Sequence, residues 1–140
     1  MRSAECGVRS AECGVRNAEC GMDNLKDRTK SFALRIVKMY ASLPKGRPEA
    51  QVLGKQVLRS GTSVAANYRE ACRARSPAEF RSKMGIVEQE LAETELWLEL
   101  LVDSKIVDTK LMGDLLAETD ELLRIVVASI VTSKKGRNKE

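Results

Sequence analysis

The 140-residue chain contains no histidine, three prolines, one tryptophan, two tyrosines and two phenylalanines. Without histidine there is no imidazole to act as a general base, and a lone cysteine has no partner of that kind to activate it. The low aromatic content means that any core must be built from Leu, Ile, Val and Ala, which suits helices. No window approaches the roughly 18 consecutive apolar residues that a membrane span needs. The most apolar run, from Ile125 to Val131, directly follows Arg124. No charged-then-apolar signal segment precedes the domain, so the expected location is cytoplasmic. A glycine-rich phosphate loop and a carboxylate pair marked by its spacing as acid and base are also missing. The expectation is therefore a protein without catalytic residues, cofactor or metal.

Cysteine use narrows the reading further. Cys6, Cys13 and Cys20 recur in a repeat and Cys72 stands alone, so neither a disulfide framework nor a familiar metal-ligand spacing is present. A reducing compartment fits this pattern. Residues 2–22 read RSAECGV, RSAECGV, RNAECGM, a seven-residue unit occurring three times. Each unit carries a glycine and only a thin apolar stripe, so an isolated helix or coiled coil of this sequence would be marginal. Residues 1–22 are expected to be disordered or frayed, with a soft-metal or redox arm of three thiols as the functional alternative. Near-identical short units also resemble translated repetitive DNA, and the expectation is that Met22 begins the native protein.

Residues 23–133 read as one all-α domain, an antiparallel up-down-up-down four-helix bundle with a loose basic tail at 134–140. The first helix is expected from Asp27 to Leu43, with Phe32, Ile36, Met39 and Leu43 at helical spacing. Pro44 to Pro48 break it, and Pro48 with Glu49 opens a second helix running to about Arg73. The buried stripe there is Leu53, Val57, Ser60, Val64, Tyr68 and Ala71. Gly61, between Ser60 and Ala65, would let a neighbouring helix approach closely. Ser76, Pro77 and Glu79 form an N-terminal capping pattern for the third helix. Phe80, Met84, Val87, Leu91, Thr94, Leu98 and Leu101 then step by fours and threes as a bundle seam. Asp108 can cap a fourth helix with two stripes, one through Leu111, Leu115, Leu122, Val126 and Ser129, the other through Met112, Leu116, Leu123 and Ile130.

Charge is segregated. Residues 31–48 carry four basic and no acidic side chains, the segment from Glu49 to Arg75 nets +3, and that from Ser76 to Ser104 nets −5. Antiparallel packing of the second and third helices places Arg59 level with Glu93 and Arg69 level with Lys83. Arg59, Arg69, Glu70, Glu90 and Glu93 therefore read as structural pairs or as a polar patch for phosphate or a second subunit.

The segment QVLRSGTSVAANYREA, together with ELAETELWLELL, resembles the 23S ribosomal RNA intervening-sequence proteins, and the resemblance extends over residues 25–133. It implies an antiparallel four-helix bundle that assembles as a homopentamer, encoded within insertions in large-subunit ribosomal RNA genes, with no catalytic residues. The chain is also similar to the accessory variability proteins of diversity-generating retroelements, which implies possible contact with nucleic acid and a reverse transcriptase.

Two functions are expected to compete. In the first, a non-catalytic homo-oligomer engages RNA or DNA through Arg35, Lys38, Lys45, Arg47, Lys55, Arg59, Arg73, Arg75, Lys134, Lys135 and Arg137, by salt-sensitive phosphate contacts. In the second, the bundle is a scaffold for another polypeptide such as a polymerase. The surplus apolar surface of the third and fourth helices, represented by Leu96, Trp97, Leu100, Leu116 and Leu123, is the expected oligomer interface.

Overall fold

The computed structural model describes residues 19–138, with side chains placed from Asn24 to Gly136. It contains four helices, α1 (Glu19–Ala41), α2 (Pro48–Cys72), α3 (Pro77–Asp103) and α4 (Thr109–Asn138), and no strand among the described residues. α2 packs along α3, α1 along α2 and α4 along α3, while α1 and α4 meet over a shorter stretch. Neighbours are antiparallel: Lys83 reaches Glu70 and Glu93 reaches Arg59, so contacts advance along α3 as they retreat along α2. No helix of the described residues is long and apolar enough to cross a membrane.

The seven-residue seam of α3 is buried throughout, from Phe80 to Leu101. The helix starts where the capping pattern places it, with Ser76 extended and its hydroxyl accepting from the Glu79 amide at 3.0 Å. Its end is a Schellman turn: the Ile106 amide donates to the Leu101 carbonyl at 3.0 Å and the Lys105 amide to the Val102 carbonyl at 2.9 Å. The turn requires a left-handed residue, and Lys105 occupies it at φ 64°. That conformation favours glycine, so lysine holds it at a cost. α4 opens on Asp108, whose carboxylate accepts from the Lys110 amide at 2.9 Å.

Four expectations change. α1 starts at Glu19, inside the third repeat unit, rather than at Asp27; the rest of the repeat, with Cys6, Cys13 and the expected disorder, lies outside the described residues. The expected loose tail continues α4 helically to Asn138. The two stripes assigned to α4 merge into one, Met112, Leu115, Thr119, Leu122 and Val126, and Leu111 is 79% exposed. Thr119 completes the three-four spacing, and its hydroxyl is satisfied by donating to the Leu115 carbonyl at 2.7 Å. Finally, Leu53 on α2 is half-buried.

α2 packs closely on both α1 and α3 because the residues at its contacts are small. Ser60 and Thr94 are both fully buried and their hydroxyls lie 2.7 Å apart. The Thr94 hydroxyl donates to the Glu90 carbonyl at 2.7 Å, so the proton shared with Ser60 comes from Ser60. On the neighbouring side of α2, a Cβ on Gly61 would stand 2.8 Å from Cγ1 and 3.0 Å from Cγ2 of Ile36. Ile36 is β-branched and stiff, so it cannot yield cheaply. By contrast, a Cβ on Gly113 would meet nothing within 4 Å.

These two glycines should respond oppositely to alanine. Gly61→Ala gains helix propensity but overpacks, and is expected to destabilise by about 1–3 kcal/mol. Gly113→Ala should stabilise by up to about 1 kcal/mol. Urea unfolding of both variants checks this, and a Gly61→Ala protein at least as stable as the parent would show that α1 can move away from α2.

Candidate nucleic-acid interface

α1 and α2 leave an open groove on their outward side, with room for about 370 Å³, lined by Lys30, Ala33, Leu34 and Val37 of α1 and by Ala65, Ala66 and Arg69 of α2. Its floor is small and apolar. Leu34 is 51% and Val37 43% exposed where they line it from α1. Lys30 and Arg69 stand at its rim. Helical spacing puts Lys38 one turn beyond Leu34, and Lys55 and Arg73 in line with Ala66 on the same outward face of α2. From Arg28 to Arg69 the only acidic residue is Glu49, while Asp27 stands one turn before Lys30 and Glu70 one turn before Arg73.

Glu49 is itself engaged. Arg47 donates to it at 2.9 and 3.1 Å. Its carboxyl is held below the ordinary carboxylate range by its own backbone amide first and by Arg47 second. Arg47 is extended, as a residue preceding proline must be, and its side chain covers the start of α2.

The expected phosphate contacts fall into three groups. Arg47, Arg59 and Arg75 are ion-paired, to Glu49, to Glu90 with Glu93, and to Glu79 respectively. Arg35, Lys38, Lys45, Lys55, Arg73, Lys134 and Lys135 make no ion pair among the described residues. The Arg137 side chain lies outside the described part. Arg35 stands apart from the groove, on the flank of α1 that also carries Arg28, one heptad earlier. Arg28 grips Glu118 of α4 at 2.8 and 3.1 Å, and that hydrogen bond raises its pKa above the ordinary value.

Arg59 anchors the α2/α3 seam. It donates to Glu90 at 3.3 Å and to Glu93 at 2.5 Å, and Glu93 also accepts from the Trp97 indole at 3.3 Å. The hydrogen bond to Glu93, then the nearby charge of Glu90, raises the Arg59 pKa. Arg69 was expected level with Lys83, and Lys83 binds the adjacent Glu70 at 2.7 Å. Level position was right to within a residue, but consecutive helix residues point about 100° apart, so Glu70 faces α3 and Arg69 faces the α1 groove. Lys30 was thus the member of the cationic face that sequence reasoning did not name, while Arg69 had been read within a mixed polar patch. The exposed spacing of Leu34 and Val37, off the Phe32 and Ile36 stripe, was the available signal.

The expected oligomer patch divides. Leu96 is 47% and Leu100 37% exposed on α3. Trp97, Leu116 and Leu123 are half-buried against the core.

Comparison with known proteins settles the family. The pattern of the 23S rRNA-intervening sequence proteins matches residues 24–128. The chain belongs to that family. Among solved structures, a protein of unknown function from the S23 ribosomal protein family of Bacteroides thetaiotaomicron superimposes with a TM-score of 0.73 at 37% identity, covering 78% of this chain and 96% of that one. No curated protein matches the chain. The matched segment contains the whole α1/α2 groove and excludes both residues 1–23 and the end of α4.

Because Arg59 is 50% exposed, its pairing contributes modestly. A double-mutant cycle between Arg59→Gln and Glu93→Gln should return a coupling below about 1 kcal/mol at physiological salt. A coupling several times larger would mean that the seam depends on this pair and not on the apolar contacts beneath it.

Proposed function

We propose that this protein is a non-catalytic, homo-oligomeric, cytoplasmic accessory protein that binds RNA or DNA through the outward face of α1 and α2. The observation that carries the reading is that Lys38, Lys55 and Arg73, spread along the outward face of α1 and α2, make no ion pair among the described residues. Unpaired cations release counterions when they meet phosphate, whereas a paired arginine must first give up its carboxylate. Lys45 at the α1/α2 turn, with Lys134 and Lys135 at the end of α4, adds further exposed positive charge. The chain offers few aromatic groups for base stacking and no histidine. Contacts of this kind favour backbone recognition with little sequence preference. The family's name, which refers to 23S ribosomal RNA, supports structured RNA as the first ligand to test.

A second reading is favoured by a separate observation, the exposed Leu96 and Leu100 on α3. In it the bundle is a scaffold for another polypeptide, such as a polymerase or reverse transcriptase, without touching nucleic acid. Affinity purification after nuclease treatment separates the two, because a protein partner survives the nuclease and a partner bridged by nucleic acid does not.

Filter-binding titrations against structured RNA and duplex DNA test the first reading. Affinity should fall linearly on a log scale with salt, and Lys38→Gln or Lys55→Gln should each weaken binding to all sequences alike and reduce the slope by roughly 1. Arg59→Gln, which removes an arginine already held by Glu90 and Glu93, should leave the slope unchanged. Absence of binding at low salt would end the nucleic-acid reading.

A further inference from the structure

The outward side of the seam between α2 and α3 changes character from one end to the other. Towards the α2/α3 turn it is closed by ion pairs, Lys83 with Glu70 and Arg59 with Glu90 and Glu93. Val52 stands seven residues before Arg59, and Leu100 seven residues after Glu93. Seven residues bring a helix back to nearly the same face, so Val52 and Leu100 come level on the side where Arg59 and Glu93 meet. Leu96 and Trp97 lie between. Val52 is 60% exposed, more than any other large hydrophobic residue of the described chain except Leu111. Leu96 and Leu100 are exposed as well, and Trp97 is half-buried with its indole donating to Glu93. Three exposed aliphatic side chains beside a tryptophan, on two adjoining helices, form an apolar patch of the kind that marks an interaction site.

The surroundings of the patch are acidic. From Glu88 to Asp103, α3 carries six acidic residues and no basic one. Arg59, which α2 sends to this stretch, is already shared between Glu90 and Glu93. Glu88, Glu95, Glu99 and Asp103 make no ion pair among the described residues. Glu99 and Asp103 each follow a patch leucine by three residues, so they border Leu96 and Leu100 on the helix surface. An anionic membrane or a nucleic acid would be repelled here. A second copy seated symmetrically would set Glu99 and Asp103 against the same carboxylates.

We propose that this end of the α2/α3 seam docks a basic amphipathic helix of another polypeptide, whose apolar face covers Val52, Leu96 and Leu100 and whose lysines or arginines meet Glu99 and Asp103. The inference rests on the polypeptide-scaffold reading and names its surface and the chemistry of its partner. A shallow furrow between two antiparallel helices suits a third helix, read through anchors at i, i+3, i+4 and i+7. Apolar contact supplies the affinity, and the carboxylates select against acidic segments.

The chain's single tryptophan stands beside the patch, so its fluorescence reports binding there and nowhere distant. The probe is a synthetic peptide of leucine and lysine alone, with its leucines on one helical face; the control replaces every lysine by glutamate. The lysine peptide is expected to shift the Trp97 emission to shorter wavelength, saturably, and the glutamate peptide to leave it unchanged. Val52→Gln and Leu96→Gln should each weaken the lysine peptide by about tenfold. Both residues are largely exposed, so the variants should keep the circular dichroism and melting temperature of the parent. Glu99→Lys with Asp103→Lys should reverse the preference between the two peptides.

No saturable shift with the lysine peptide, or an equal response in the two glutamine variants, overturns the proposal. So does light scattering in which an oligomeric parent falls to the 15.5 kDa monomer mass in Leu96→Gln, because another copy of the chain then covers the patch. The scaffold reading fails separately: it stands if a nuclease-resistant protein partner is recovered equally by the parent and by the Val52→Gln, Leu96→Gln double variant, and in that case only this surface is wrong.

Discussion

The closeness with which α2 is held between its neighbours is the constraint on which the other features rest. Ser60 and Gly61 are adjacent, so they point about 100° apart, one at Thr94 of α3 and the other at Ile36 of α1. Larger side chains at either position would push one neighbour away. The hydroxyl of Ser60 is fully buried, and burying it is tolerable only because Thr94 accepts its proton while passing its own to the Glu90 carbonyl. The polar contact therefore fixes the α2/α3 register more sharply than leucine packing would, since apolar side chains tolerate a slide and an orphaned hydroxyl does not. The register in turn decides which surface charges meet. Arg59, one residue before Ser60, falls between Glu90 and Glu93, and Glu70 meets Lys83.

Internal pairing along that seam leaves the two outer faces unbalanced. Glu88, Glu95 and Glu99 on α3 and Lys30, Lys38, Lys55, Arg69 and Arg73 on the α1/α2 face make no ion pair among the described residues. Solvated charge of either sign is ordinary on a helix surface, but here the signs are sorted by face. Sorting of this kind makes like charges crowd one another, a modest destabilisation that an isolated bundle would gain by relieving. Its persistence is understandable where each face meets something of the other sign.

Much of this was legible beforehand, and the reasons for the failures are physical. The α3 seam was readable because every position in it is apolar or threonine and the spacing never breaks; its start was readable from Ser76, Pro77 and Glu79. The α4 seam was not, because Thr119 interrupts the apolar pattern at a core position and Leu111 offers a false continuation from Leu115. A polar residue that returns its hydroxyl to its own helix looks like a surface residue in sequence. The Arg59 pair followed from antiparallel register; the same arithmetic set Arg69 level with Lys83 but did not say that Glu70, one residue on and turned by about 100°, is the side chain that reaches it. Exposure was the hardest property to anticipate. Trp97, Leu116 and Leu123 read as surplus apolar surface but fill the margin of the core, whereas Leu34 and Val37, off the Phe32 and Ile36 stripe, face outward. The number of apolar positions on a helix tells how much must be covered, and only the placement of its neighbours tells by what.

A net charge of +4 is small for a chain proposed to hold nucleic acid. Segregation changes the meaning of that total. Glu90, Glu93, Glu70 and Glu118 neutralise arginine and lysine side chains at the seams between helices, where a phosphate backbone would not reach both partners. The remaining acids of α3 lie on the side of the bundle away from the α1/α2 face. A polyanion approaching that face therefore meets a local field more positive than the whole-chain charge suggests, over distances comparable to the Debye length of about 8 Å at physiological salt. In the proposed homo-oligomer, repeating a weak cationic face around the assembly raises the effective concentration of each contact for the next, so that affinity depends on the number of faces presented together more than on any single side chain.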